Sequence, residues 1–434
     1  MRKIDIGVLR AECVRFDFVG DFLLDGKLVP QKNCVTVEAG MLRYGDACYD
    51  TLSFKPQSPD CSFMLRGVVI GIGFHWQRKE DQRFKGELRL IVEDGEVRAI
   101  NRIDVEDYLV SVISSEMSAT SSFEFLKAHT IISRSWLYAQ LERGSRVENA
   151  VLGYENEDEI IHWYAREDHL NFDFCADDHC QRYQGVTRAL NPNVARAVEA
   201  TRDIVLMYDG KVCDARFSKC CGGITERFSA CWEDVDYEYL QAFRDCDDAV
   251  PLPQLTTEEG VREWIESVPP SFCSTDNKAV LSQILNGYDR ETNDFYRWQV
   301  VYSQSELSSL VAERSGMDFG LIEDLQPLER GASGRIVKLK ITGSKATRIV
   351  GKELEIRRWL SKSHLYSSAF VVDKKQGVSG ELCFVLKGAG WGHGVGLCQI
   401  GAAMMGEKGC SCEQILSFYY PGSMLDTVNS FFEG

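Results

Sequence analysis

The sequence predicts an α+β protein of mixed helices and antiparallel strands. Three observations give that class. The first hundred residues carry apolar runs punctuated by turn dipeptides, two consecutive helical stripes follow over 101–143, and strand, turn and helix signals alternate beyond them. Each is taken in chain order below.

Residues 1–100 read as a β-rich region. GVVIGIG at 67–73 is a short apolar run, and LRLIV and VRAI are joined at Asp94-Gly95, a strong two-residue hairpin signal. Between them FHWQRKEDQRFKG at 74–86 mixes aromatics with charges. Such a stretch either stacks on sugar rings or covers the edge of a small sheet, and the second is the commoner use.

The segment 101–143 is the one around which the chain is organised. Val105, Tyr108, Leu109, Val112, Ile113 and Met117 fall on one helical stripe, with Asp104 as its expected N-cap and Glu116 closing the helix. After SATSS, Ser121 and Glu124 form an expected capping box for a second helix, which is apolar or small on both faces as far as Gly144 and is therefore expected in the core. Glu116 stands at the negative end of a helix dipole among apolar neighbours. Both disfavour an ionised carboxyl, which suits a group that must donate a proton. A solvated glutamate at a helix end is the plainer alternative.

Residues 101–250 then continue into ENEDEIIHWYAREDHLNFDFCADDHCQRYQG at 155–185, acidic, aromatic and without period. His169, Cys175, His179 and Cys180 crowd into twelve residues of it. Zinc takes four nitrogen or sulfur ligands in a tetrahedron, and a loop can fold such a set around one ion. In a strand the adjacent His179 and Cys180 would face opposite ways, so spacing leaves a metal site and a set of free thiols and surface histidines both open. Helical spacing returns at 189–201, and IVLMYDGKVCDARFS at 204–218 is a second hairpin, about Asp209-Gly210. KCCGGITE follows, with Gly222 and Gly223 permitting a sharp turn before Thr225 and Glu226.

From 251 to 380 the composition shifts: PLPQLTTEEG and SVPPSFCSTDN hold four of the ten prolines, SELSSLVAERSG is a helix and IVKLKITG a strand. This reads as an inserted α/β lobe framing a central groove in a multi-lobed protein. TNDFYRWQVVYS at 292–303 is an aromatic cluster best explained by core packing. Residues 381–434 are expected to return to the catalytic core. Five glycines lie between Gly388 and Gly396, forcing backbone geometry around Trp391 and His393 that side chains would block. EQILSFYY then reads as a helix stopped by Pro421-Gly422.

The 434 residues suggest two or three domains, and 44% hydrophobic content is ample for a core. A net charge of -16 argues against a nucleic-acid partner, and no apolar stretch is long enough to span a membrane. The N-terminal MRKIDIGVLRAECVRF has the charges of a signal peptide without its apolar centre. The sixteen cysteines, scattered and including the adjacent Cys220 and Cys221, read as free and often buried rather than as a disulfide framework.

Five signals spread over about three quarters of the chain resemble the stage II sporulation protein D and amidase-enhancer family: YL-x-x-VI-x-x-EM at 108–117, LKAH-x-x-x-SR at 126–134, GG-x-TE at 222–226, GWGHGVGLCQIGA at 390–402 and YYPG at 419–422. The resemblance implies action on bacterial peptidoglycan, by lytic transglycosylation of glycan strands stripped of their peptides. Glu116 is then the catalytic residue, and Arg134, Lys219, Thr225, Glu226, Trp391, His393 and Gln399 are candidates for binding the glycan. The resemblance also implies a structural zinc on His169, Cys175, His179 and Cys180, since some members hold zinc with Cys and His in this region. It implies a cell-envelope or periplasmic location, while the missing signal peptide leaves a cytoplasmic one open. Ser118 departs from the family pattern, which often has proline after the glutamate-methionine pair.

One strong carboxyl, rather than the pair glycoside hydrolases use, favours a transglycosylase, in which Glu116 acts first as acid and then as base. Arg134, eighteen residues on and five helical turns away, is expected to contact a muramic carboxylate or to position Glu116. Two other readings follow from the same residues: a glycan-binding protein that recruits or stimulates a cell-wall amidase without cleaving, and a zinc hydrolase of another wall bond.

Overall fold

The computed structural model describes residues 2–71, 77–117, 121–144, 152–164, 169–177, 180–187, 192–247, 250–284, 294–377 and 380–428. It is a mixed α+β structure that divides into two compact units, one of residues 1–119 and 166–202, the other of 120–165 and 203–434. The boundary falls just after Glu116 and passes through the region 101–250.

The first unit is built on two mainly antiparallel sheets. One has seven strands in the order Phe174–Cys175, Lys3–Ala11, Glu96–Asp104, Glu87–Glu93, Thr51–Pro56, Phe22–Leu24, Lys27–Leu28. The other has six, in the order Arg78–Lys85, Ser62–Ile70, Cys13–Val19, Lys32–Glu38, Met41–Tyr44, Ala47–Tyr49. The Asp94-Gly95 hairpin forms as expected, because both residues adopt the positive φ (52° and 79°) that a two-residue turn between twisted strands requires. Phe16, Phe18, Phe22, Phe54, Phe63 and Phe84 are buried and pack ring on ring, each such burial stabilising the unit by roughly 1.5–3 kcal/mol. The aromatic and charged stretch at 74–86 supplies the edge strand Arg78–Lys85, which pairs on one side only; its residues 74–76 lie outside the described residues.

The helix Val105–Glu116 begins where the strand Glu96–Asp104 ends. Asp104 is its N-cap, accepting from the Glu106 amide at 3.0 Å, and the predicted stripe of Val105, Tyr108, Leu109, Val112, Ile113 and Met117 is buried. The helix Pro192–Ala200 packs against it.

The second unit is organised on the helix Phe123–Gly144. Its N-terminus departs from expectation: the cap is Ser122, whose Oγ accepts from the Phe125 amide, while Glu124 accepts from the Cys412 amide and pairs with Lys127. Both faces are buried as expected, and its polar residues bond within the interior: Thr130 to the Leu126 carbonyl, Ser135 to the Ile131 carbonyl, Gln140 to Asp214. The strand Ile204–Tyr208 and the helices Gln399–Glu407 and Cys412–Tyr419 pack on it. A five-stranded sheet runs in the order Gly153–Glu155, Glu159–His162, Thr347–Gly351, Ile336–Gly343, Ile322–Arg330. Strands Phe370–Gln376, Leu382–Ala389 and Arg297–Ser303 form another sheet, and Trp298 lies in the core, as the aromatic cluster suggested. Among the described residues no helix is long and apolar enough to cross a membrane. None of the sixteen cysteines, all among the described residues, is in a disulfide, and eight are buried.

Candidate active site

Glu116 is the last residue of its helix, and the chain leaves at Met117 in extended conformation. Its side chain is half-buried, neither sealed in the interior nor standing free in solvent. The carboxylate accepts from the Arg182 amide at 3.4 Å, which ties it to the segment following the cysteine-rich loop.

That loop is held by the strand Phe174–Cys175, parallel to Lys3–Ala11 with Gly7 opposite Cys175. His169, Cys175 and Cys180 come together with one ligand atom each inside 4.8 Å of the others, and His169 Nε2 stands 3.2 Å from Cys180 Sγ. One nitrogen and two thiols at that spacing fit a zinc ion with one position left for a further ligand. His179, the fourth expected ligand, lies outside the described residues. Tyr108 joins the two groups: its hydroxyl donates to Gln181 at 3.3 Å. Burial, then the Cys180 and Cys175 thiols, Tyr183 and the Glu116 carboxyl, hold that hydroxyl well above the usual tyrosine range. Beyond the loop a small pocket of about 80 Å³ is lined by Cys175, Asp177, Arg182, Gln82 and Arg98, among others.

The remaining candidates lie in the second unit. Arg134 is fully buried, with Nη1 donating to the Ile204 carbonyl at 3.0 Å, so in this structure it faces protein rather than solvent. Thr225 is buried between the Gln241 carbonyl and the Phe243 amide, at 2.9 and 3.0 Å. Glu226 is 0% exposed and accepts from the Ala332 and Ser333 amides at 3.0 Å each and from the Ser333 hydroxyl at 2.7 Å. Both act here as struts instead of the expected glycan contacts, because every polar atom described is taken up by protein.

The glycine-rich block lies beside them. Arg335, fully buried, donates to the Gly392 and Cys221 carbonyls and to Ser333 Oγ. Gly394 has φ of 76°, and a Cβ there would sit 2.4 Å from the Arg335 guanidinium carbon, so both conformation and space demand glycine. His393 is held by this geometry. Its Nδ1 accepts from the Val395 amide at 3.0 Å and its ring meets Trp232 edge-on. Dense packing, then Arg216, Arg335 and Arg357, push its pKa well below the ordinary histidine value, which leaves a neutral imidazole. Trp391 is half-buried, stacked on Phe295 with ring centroids 4.8 Å apart, and its backbone pairs with Cys220.

Lys219 and Gln399 are gathered around a residue not anticipated as part of the site, His129. Gln399 Nε2 lies 3.1 Å from His129 Nε2, and Ser133 Oγ lies 3.3 Å from Nδ1. Burial, with the Lys219 ammonium nearby, lowers the His129 pKa to about 3. Lys219 is half-buried and donates to the Ile284 carbonyl at 3.2 Å.

Comparison with known proteins bears on this arrangement. A family model described as "Stage II sporulation protein" matches residues 93–208, and one described as "Domain of unknown function (DUF8618)" matches 226–396. The chain is 26% identical over 335 residues to the amidase enhancer of Bacillus subtilis (strain 168), a match covering 73% of this chain and 40% of that protein. It is 21% identical to stage II sporulation protein D of Bacillus amyloliquefaciens, over 77% of each chain. The same protein from Bacillus subtilis (strain 168) is 22% identical, over 77% of this chain and 78% of the relative. Over residues 93–208 the chain is similar to the stage II sporulation protein D and amidase-enhancer family.

The first match covers Glu116 and the cysteine-rich loop together, and the second begins at Glu226. His129 carried a sequence signal, as the last residue of LKAH, although a histidine inside an apolar helix reads first as core. Arg335 carried none, since an arginine in a strand-rich lobe looks like a surface charge.

Proposed function

We propose that this protein acts on bacterial cell-wall glycan as a lytic transglycosylase, with Glu116 as acid and then base. The observation that carries the reading is the half-buried Glu116 carboxyl at the end of its helix, anchored on the Arg182 amide beside the thiol and imidazole cluster. In its acid form Glu116 donates its proton to the glycosidic oxygen as the C1–O bond breaks. The resulting carboxylate removes the proton from the 6-hydroxyl of the same sugar, and O6 closes on C1 to give a 1,6-anhydro end. The proton returns to Glu116 and no water is consumed, so one carboxyl serves where hydrolysis would need two.

His169, Cys175 and Cys180, with His179 as the expected fourth ligand, would hold zinc. The ion would fasten the loop that carries the Arg182 amide, a structural role for which these donors fit. His393 and Trp391 are the candidates for contacts along the glycan, and Lys219 for its carboxylates.

The test is mass spectrometry of peptide-free glycan after incubation with the purified protein. Products ending in 1,6-anhydro sugar are expected. Products with reducing ends would replace this reading with a hydrolase. The match to a protein named amidase enhancer supports a second reading, in which the chain binds glycan and stimulates an amidase. Retention of intact glycan with no cleavage, and a rise in amidase rate on its addition, would establish that one.

A further inference from the structure

In the second unit four segments distant in sequence bring together Cys221, Asp245, Cys273 and Cys398. One ligand atom from each lies within 4.8 Å of the rest, and all four residues are at most 3% exposed. We propose that these residues form a buried structural site for a thiophilic divalent ion, zinc by donor set, separate from the His169 loop.

The geometry is that of a site and not of a chance meeting of small apolar side chains. Cys221 Sγ stands 3.6 Å from Cys273 Sγ. Two sulfurs bound tetrahedrally at about 2.3 Å from one ion would be roughly 3.8 Å apart. The donors are also oriented from outside, as metal ligands are. The Cys221 amide donates to Cys398 Sγ at 3.2 Å, the Cys273 amide to Asp245 Oδ2 at 3.0 Å, and the Tyr419 hydroxyl to Asp245 Oδ1 at 2.7 Å. Cys398 is moreover the N-cap of the helix Gln399–Glu407, where amide dipoles favour a thiolate. Burying several groups that become anions on deprotonation is costly without a cation among them, and a divalent ion supplies it.

The site has an evident use. Cys221 directly precedes Gly222-Gly223, Cys398 directly precedes Gln399, and the Asp245 amide donates to the Gly223 carbonyl of the same turn at 3.0 Å. An ion there would pin the double-glycine turn, the segment 271–273 and the glycine-rich C-terminal block into one piece. Cys221 and Cys398 are 177 residues apart, so the cross-link closes a long loop. The inference does not depend on what Glu116 does.

The experiment is the metal content of the purified full chain, measured beside Cys273→Ser and beside Cys175→Ser/Cys180→Ser. A loss of about one zinc equivalent is expected in Cys273→Ser, and retention of about one in the double variant. X-ray absorption of the zinc in that double variant should then give a sulfur-rich shell at about 2.3 Å. Should Cys273→Ser fail to fold, the double variant decides alone. Zinc-free double variant, unchanged zinc in Cys273→Ser, or a disulfide mapped by peptide mass spectrometry to Cys221, Cys273 or Cys398 in the wild-type chain, would each overturn the proposal.

Discussion

Among the described residues the protein carries two clusters of soft donors, one in each unit, and they differ in exposure. His169, Cys175 and Cys180 are partly accessible on a loop whose next residues hold a half-buried carboxyl. Cys221, Cys273, Cys398 and Asp245 are buried, held by the Cys221 and Cys273 amides and the Tyr419 hydroxyl, with the Arg335 guanidinium on the Cys221 carbonyl. Accessibility decides what each can do. A carboxyl beside the first can meet a polymer, whereas the second can only hold chain segments in place. On the proposed reading the reacting carboxyl lies in the first unit and the buried thiol cluster in the second, so substitutions at the two should fail differently.

The sharpest contrast is between two glutamates. Glu116→Gln keeps the size and the acceptor for the Arg182 amide while removing the acid. Cleavage of peptide-free glycan should fall by about 10²–10⁴-fold, the usual worth of a general acid or base, with an unchanged melting curve. A fully active Glu116→Gln would remove the mechanism. Glu226→Ala should do the reverse in kind. It strands the Ala332 and Ser333 amides and the Ser333 hydroxyl in a dry interior, and should cost about 3 kcal/mol or more in a denaturant titration, with activity lost only as the fold is lost. If Glu226→Ala melted like the wild-type chain but lost glycan binding, its place among the struts would be wrong.

The same contrast explains what could be read from sequence. Helices, hairpins and core stripes around Glu116 obey local rules: a cap at Asp104, period 3.6 along 105–117, positive φ at Asp94-Gly95. Those signals are short-range and were legible. Ser122 replacing Ser121 as cap is a one-residue slip, within the tolerance of any boundary read from pattern. The struts were not legible. Glu226 sits beside a turn and looks like a surface residue until residues 331–335, a hundred positions later, wrap around it. The buried thiol site was hidden for the same reason, since its four ligands have no common spacing and only Cys220-Cys221 stands out. Long-range closure leaves no period in a sequence.

Acid should weaken the second unit through His129. Its folded-state pKa is lowered to about 3, whereas a free histidine titrates near 6.5, so the unfolded chain takes up the proton first as pH falls. The stability it protects is complete above about pH 6.5 and is lost at up to ~1.4 kcal/mol per pH unit from there down toward pH 3. Chemical denaturation followed from pH 7 to 4 should show that slope, and His129→Gln should flatten it. An unaltered slope in His129→Gln would move the effect to other groups, His393 first.

The smallest effect tests whether the Glu116 helix needs its own start. Asp104→Ala removes the carboxylate that accepts from the Glu106 amide, a loss of about 1 kcal/mol when a helix cap is truncated. Because Val105, Tyr108, Leu109, Val112 and Ile113 are buried along the helix, packing should hold its axis and confine fraying to the first turn. Glu116 lies at the other end, so glycan cleavage should fall by less than about tenfold, and Asp104→Asn, which caps equally well, should restore both readings. A loss in Asp104→Ala as large as that in Glu116→Gln would mean that the carboxyl is positioned by the whole length of the helix, and that the Arg182 amide at its C-terminal end contributes little.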